Sequence, residues 1–316
     1  MLLNTKWESG QAEYVLALLE RWGGDAPAQR AFLELVRTRL GVKPALDASL
    51  ESLGPARRPE VMEFLLVMTC LGSEVTDAQL SALEVLNRQL TSRTPWPGIL
   101  RHAKAGRGKR ATMTMAGLSP DGKALLRTVW KKEGVFGVVR AILSSLGRGP
   151  ENRALAARYE QLGSLGPDTL GHAFFRHMRS RKLPMPGEKG SLPEVAMHHD
   201  LMHVLTGFDT DARGEGRLAG FYAGATSRHP IAGADAFAFV MVGLMTFHLG
   251  YDIGPTFVGA EHGVVDPAEL LRFIELGNRV PFNVLTDWSF EDDLPRPLRE
   301  VRARFGIPPE GALPMS

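Results

Sequence analysis

Apolar residues recur every three or four positions along most of the chain, the period of a helix with one buried face. Tyr14, Leu16, Leu18, Leu19 and Trp22 mark a first amphipathic stretch. Phe32, Leu33, Leu35, Val36 and Leu40 mark a second, closed by Gly41 and Pro44. Residues 61–71 form a more apolar third. Thr76 or Asp77 is placed to cap a fourth, which carries Leu80, Leu83, Val85, Leu86 and Leu90. Further helices are expected over 123–132, 134–146, 168–181, 193–205, 214–225, 232–249 and 267–278. No segment alternates in strand fashion, and no Asn-Gly hairpin signal occurs. The fold class read from this pattern is all-α.

The helical pattern breaks between residues 91 and 120. Pro95, Pro97 and the basic run from Arg101 to Arg110 read there as a linker or solvated loop. A boundary is placed near it, giving a helical unit over 1–115 and a second over 116–316. The tail from 308 carries three prolines and little to bury, so it is expected to be mobile.

Composition narrows the function classes. Of 316 residues, 44% are hydrophobic and 23% charged, as in a globular protein, and a formal net charge of +2 gives no push toward nucleic acid. Cys70 is the single cysteine and follows an apolar run, which reads as a buried, inert thiol in a reducing, cytoplasmic setting. No basic start followed by an apolar stretch suggests a secretory signal. The longest apolar stretch, residues 236–247, falls short of the roughly 20 residues that span a bilayer. It reads as a buried helix, with a greasy ligand channel as the alternative.

The chemistry concentrates in one place. Eight of the nine histidines fall between His172 and His262, and three crowd into His198-His199-Asp200-Leu201-Met202-His203. On a helix, His199, Asp200 and His203 lie at about 0°, 100° and 40° around the axis, close enough in direction to converge on one ion. Gly207 and Asp209 signal a turn, Thr210 or Asp211 can start the next helix, and Glu215 falls in its first turns. An antiparallel return would carry that carboxylate back over the histidine pair. Two imidazoles and two carboxylates suit Fe, Mn, Zn or Co better than Ca or Mg, and leave room for an open coordination position. His198 would point away from the ion. Arg213 and Arg217 flank Glu215 and are candidates to anchor a substrate carboxylate or phosphate. Asp211 is a candidate partner for a ligating imidazole, or simply a helix cap.

The order His199-Asp200-x-x-His203, eleven residues, then Glu215 resembles the signature of the Coq-four family of ubiquinone (coenzyme Q) biosynthesis proteins. The segment Leu165-Gly166-Pro167-Asp168-Thr169-Leu170-Gly171-His172-Ala173-Phe174 also resembles the stretch that precedes the motif there, as does His203-Val204-Leu205 within it. The likeness covers residues 159–230, and 118–304 more loosely. Two departures stand out. Glu194-Val195-Ala196-Met197-His198 replaces an arginine- and tyrosine-rich stretch, and the first hundred or so residues are additional. Residues 65–90 faintly resemble a TerB-like helical domain.

The resemblance implies a divalent metal and a prenylated aromatic or polyprenyl lipid as ligand. It also implies quinone-biosynthesis proteins as partners, at the periphery of a membrane. The implied activity replaces the ring carboxylate of a prenylated hydroxybenzoate-type precursor with a hydroxyl, with a catalytic role for Asp200 beyond ligation. The competing reading is a non-catalytic prenyl-lipid-binding scaffold whose metal only holds two helices together.

Overall fold

A computed structural model describes residues 7–44, 53–118, 151–191, 197–226, 233–253 and 262–312, with Glu194 and scattered positions between 123 and 139. Among the described residues every regular element is helical, and the strand-like contact is an isolated bridge between Thr169 and Pro297. Of the helices expected over 123–132 and 134–146, residues 123, 127, 129–131 and 134–139 are described and are helical, and the remaining positions lie outside the described residues.

The N-terminal part follows the apolar stripes. Helix α1, Ser9–Trp22, buries Val15, Leu16 and Leu19. Helix α2, Pro27–Leu40, buries Phe32 and Val36 and ends on the left-handed Gly41. Helix α3, Arg58–Cys70, is buried along most of its length, Cys70 included. Two polar ties cross the apolar packing. Trp22 Nε1 donates to Thr69 Oγ1 at 3.0 Å, and Gln29 Nε2 donates to the Met68 carbonyl at 2.9 Å. Helix α4, Asp77–Gln89, begins on a reciprocal cap, in which Thr76 accepts from the Gln79 amide while the Gln79 side chain accepts from the Thr76 amide.

The expected loop between 91 and 120 is instead largely two helices, α5 over Trp96–Lys104 and α6 over Gly108–Leu118. The prolines misled the pattern. Pro95 is the N-cap of α5 and Pro97 lies in its first turn, where a missing N–H costs nothing. Trp96, Ile99, Leu100 and Ala103 form its buried stripe, while Arg101, His102 and Lys104 crowd its last turn, where positive charge favours the helix dipole.

Helices α7, Arg153–Glu160, and α8, Leu170–Ser180, precede α9, Met197–Thr206, and α10, Ala212–Thr226. Helix α11, Gly233–Val242, runs on into a π-helical turn over Gly243–His248. Helices α12, Pro267–Gly277, and α13, Leu298–Arg304, complete the set. Short α7 and α13 had no expectation in the apolar pattern, because each buries one main side chain, Tyr159 and Val301.

Two apolar clusters hold these helices. The first joins the helices of the N-terminal part to Phe237, Val240, Met241, Leu244 and Met245, and to Leu270 and Ile274 of α12. Any division of the chain near residue 115 is therefore crossed by shared core. The stretch 236–247 packs as core, with Phe237 edge-on to Trp96 at 5.4 Å. The second cluster surrounds α8, α9 and α10 and closes over Trp288, Phe290 and Phe305. Half-buried Phe239 touches both.

Helix α10 is pinned most closely. A Cβ on Gly224 would lie 2.0 Å from the Ile274 carbonyl oxygen, and one on Gly277 would lie 2.1 Å from that of Phe221. Glycine at both places lets α10 and α12 touch backbone to backbone. The C-terminal tail is anchored at least to residue 312, against expectation. The Ala312 amide donates to the Thr206 carbonyl at 2.7 Å, and Arg302 donates to the Val204, Leu205 and Pro309 carbonyls. The last carbonyls of α9, left open by the end of the helix, are what hold it. Among the described residues no helix is long and apolar enough to cross a membrane.

Candidate metal centre

Helix α9 buries Met197, Leu201, Met202 and Leu205 in the second cluster, which turns His199 and His203 together toward α10. Gly207 ends it at φ +75°, its amide donating to the His203 carbonyl at 2.8 Å. The chain then doubles back over a short loop. Asp211 caps α10 by accepting from the Gly214 amide at 2.7 Å. Gly214 itself is pressed on the loop, since a Cβ there would lie 1.9 Å from the Asp209 carbonyl oxygen. This tight return sets Glu215 over the histidine pair.

Three donor atoms meet there. His203 Nε2 lies 3.3 Å from His199 Nε2 and 3.1 Å from Glu215 Oε1, and His199 Nε2 lies 3.4 Å from Glu215 Oε2. Ligands about 2.0–2.2 Å from one tetrahedral ion stand about 3.3–3.5 Å apart, so the triangle has the dimensions of a ligand set. Two imidazole nitrogens pointed at each other form at most one hydrogen bond, whereas both can donate lone pairs to a shared cation. The His203 Nδ1, 3.2 Å from the Phe208 carbonyl oxygen, donates its proton there and leaves Nε2 free to ligate. The side chain of His203 is fully buried and that of Glu215 nearly so, but His199 keeps 38% of its side-chain surface exposed. The triangle is therefore closed on the α9–α10 side and accessible past His199.

Charge matches the geometry. Partial burial works to lower the His199 pKa, but the Glu215 carboxylate outweighs it and lifts the imidazole to about 9. Burial works to raise the Glu215 pKa, and the two imidazoles override it and hold the carboxyl at about 2. The metal-free chain thus carries a protonated His199 against an ionised Glu215 at neutral pH. An ion must displace that proton. Metal affinity is expected to rise about tenfold per pH unit up to roughly pH 9 and to level above it. Calorimetry in buffers of different ionisation enthalpy should show close to one proton released per ion at pH 7.5; no proton release would contradict the protonated pair. In the metal-free fold the two groups act in opposite directions. His199 stabilises fully below its reference value of 6.5 and fades as pH rises through about 9, and Glu215 stabilises fully above 4.5 and fades toward about 2.

The remaining sequence candidates sort as follows. Asp200 is buried beside the triangle, but the group of donors within 4.8 Å of one another comprises His199, His203 and Glu215. Burial raises the Asp200 pKa, with His199 and His203 opposing. His198 turns away, its Nε2 3.3 Å from the Trp288 carbonyl oxygen and its ring edge-on to Phe290. Arg213 and Arg217 both close their forks on Glu269, at 2.7–3.0 Å and 2.8–3.1 Å. That places their paired edges on α12. Asp211 is the cap of α10, and the backbone of Phe208 takes the imidazole.

Two neighbours carried no sequence signal. Tyr222 is buried, with its ring parallel to that of His199 at 6.5 Å and stacked on Phe239 at 4.8 Å. His177 lies nearly parallel to His203 at 5.8 Å. Both sit on other helices, so spacing along α9 could not find them.

No family model and no curated sequence matches the chain.

Proposed function

We propose that this chain is a metal-dependent enzyme of the Coq-four type, acting on the ring carboxylate of a prenylated hydroxybenzoate-like precursor of ubiquinone-type quinones. The observation that carries the reading is the donor triangle of His199, His203 and Glu215, at the spacing of that family's motif and open on one flank. Three protein donors and an accessible side are the arrangement of a catalytic ion, since a structural ion is closed by a fourth protein ligand.

A divalent ion held by these residues would supply a Lewis acid for the substrate carboxylate. Replacement of that carboxyl by hydroxyl is a two-electron oxidation, balanced with water as the hydroxyl source, carbon dioxide as the leaving group and dioxygen reduced to hydrogen peroxide. The chain's own groups do the rest. His199 and His203 present neutral Nε2 atoms, the second oriented by the Phe208 carbonyl. Glu215 offsets the ion's charge from the α10 side. Tyr222 and Phe239 form an aromatic wall beside His199, suited to a flat ring. Asp200, buried with a raised pKa, is a carboxyl placed to hold or accept a proton next to the reacting centre, or to swing in as a fourth ligand.

Asp200→Asn separates these roles from a scaffold in which the ion merely clamps two helices. It keeps the size and one oxygen donor and removes the charge and the base. With saturating metal, dioxygen and a prenylated hydroxybenzoate, the native chain is expected to release carbon dioxide and form hydroxylated product. Folded, metal-loaded Asp200→Asn is expected to lose on the order of 10²-fold or more of that rate. Unchanged turnover in the variant would remove Asp200 from the chemistry. Absence of product from the native chain across several prenyl aromatics and the four candidate metals would favour the scaffold.

A further inference from the structure

Five of the seven large apolar side chains left exposed among the described residues fall between residues 113 and 139: Met113, Trp130, Val135, Phe136 and Val139. Phe136 is 83% exposed and Met113 76%. Residues 134–139 are helical, and on a helix Val135, Phe136 and Val139 lie at about 0°, 100° and 40° around the axis. They share one face, and that face meets water while Val129 and Gly137 are buried. Single apolar residues on a surface are ordinary, but an aliphatic and aromatic face in water points to something that covers it. The charge here is one-sided as well. Residues 107–140 hold eight of the 37 basic residues and two of the 35 acidic ones, a net charge of +6, so the rest of the chain nets −4. Lys109, Arg110, Lys123, Arg127 and Lys131 are exposed, and none has an ion pair with a described residue. Helix α6 carries two of them outward because its other side is fastened. A Cβ on Gly108 would lie 2.1 Å from the Asp252 carbonyl oxygen, Thr112 donates to the Ile253 carbonyl, and Ala111 is buried in the first apolar cluster.

We propose that this segment seats on an anionic lipid bilayer, with Val135, Phe136 and Val139 entering the headgroup boundary and the lysines and arginines drawn to the lipid phosphates. A basic helix with an apolar face is the pattern of an interfacial contact, and Trp130 adds a ring suited to that boundary. Each Lys or Arg near such a surface adds about fivefold in affinity. The two features together select the occupant. A second copy of the chain would cover the apolar face but set +6 against +6. A nucleic acid would answer the charge and leave Val135 and Val139 in water. An anionic bilayer takes up the apolar side chains and the charge at once. The inference goes beyond the function proposed above and stands without it. The surface lies outside residues 159–230, where the likeness to the Coq-four family is concentrated, and it needs no ion.

The test uses the full chain and vesicles of two compositions, phosphatidylcholine alone and phosphatidylcholine mixed with phosphatidylglycerol. Flotation on a density gradient should carry the chain up with the mixed vesicles, with affinity about tenfold or more above that for the neutral ones, and high salt should weaken it. Phe136→Asp, an exposed change, should lower affinity for the mixed vesicles about tenfold or more and leave metal content and melting temperature native. Arg127→Gln combined with Lys131→Gln should lower it by about the same factor, and decides the matter should Phe136→Asp fail to fold. His199→Ala should lose the metal and keep the vesicles, so failure of this surface and failure of the metal centre are told apart. Equal affinity for both vesicle types, no flotation with either, or an affinity that neither variant lowers would overturn the proposal. So would a concentration-dependent dimer, seen by light scattering and abolished by Phe136→Asp, which would give the face to a second copy.

Discussion

Glu215→Ala is expected to strip the chain of its metal. The two histidines share one helix turn, but the carboxylate arrives alone from α10 and supplies both the third donor and the negative charge. Removing it leaves His203 buried with no anion opposite and drops the pKa support from His199. Loss of one ligand of so small a set typically costs more than the 10–100-fold seen for outer partners of a metal site. Metal content after gel filtration should fall from about one equivalent to a small fraction, and His199→Ala should do the same. Folding is expected to survive, since neither residue contributes to either apolar cluster. Metal retained at the native level in both variants, with circular dichroism unchanged, would sink the assignment of these ligands.

Gly224→Val is expected to be strongly destabilising, because it lies where α10 and α12 touch backbone to backbone. Its Cβ alone would sit 2.0 Å from the Ile274 carbonyl oxygen and 2.7 Å from the Asn278 amide nitrogen, both rigid helix backbone. No side-chain rotation relieves that contact, so α10 and α12 must separate. Overpacking of this kind costs about 1–3 kcal/mol or more, and two further γ-methyls push toward the upper end. A fall in thermal midpoint of about 5 °C or more is expected for a chain of this size. The effect should reach the metal too. Glu215 rides on the same helix, so an α10 shifted by even a fraction of an ångström spoils the triangle, and affinity should fall while all ligands remain. A near-native melting point would mean that the α10–α12 contact is looser than described.

The contrast between these two sites shows what the sequence made legible. His199, His203 and Glu215 could be brought together on paper because two periodicities and one turn suffice: one helical turn between the histidines, Gly207 to end α9, Asp211 to begin α10. Asp200 could not be placed so well. Its direction, about 100° from His199, is compatible with ligation or with standing beside the ion, and only the approach of α10 decides between them. Arg213 and Arg217 could not be placed at all. Their position one turn apart fits an anion site, but Glu269 on α12, more than fifty residues away, takes both guanidiniums.

The same division holds for the fold. Long amphipathic helices such as α1, α2 and α12 wrote their stripes into the sequence. Helix α5 was hidden because Pro95 and Pro97, usually breakers, stand where a helix begins. The tail was misjudged because its anchor is not burial alone but the open carbonyls at the end of α9, which composition does not reveal. His177 and Tyr222 escaped for a related reason, since what they do depends on which helices pack beside α9.

The account rests on one ion held between α9 and α10. Anomalous-difference diffraction at the absorption edge of the bound metal, from crystals of the full chain grown with that metal, tests it most directly. One peak is expected, about 2.0–2.2 Å from His199 Nε2, His203 Nε2 and a Glu215 carboxylate oxygen, with at least one coordination position facing the exposed flank of His199. A peak elsewhere on the chain, or no peak between the two helices at saturating metal, would contradict it.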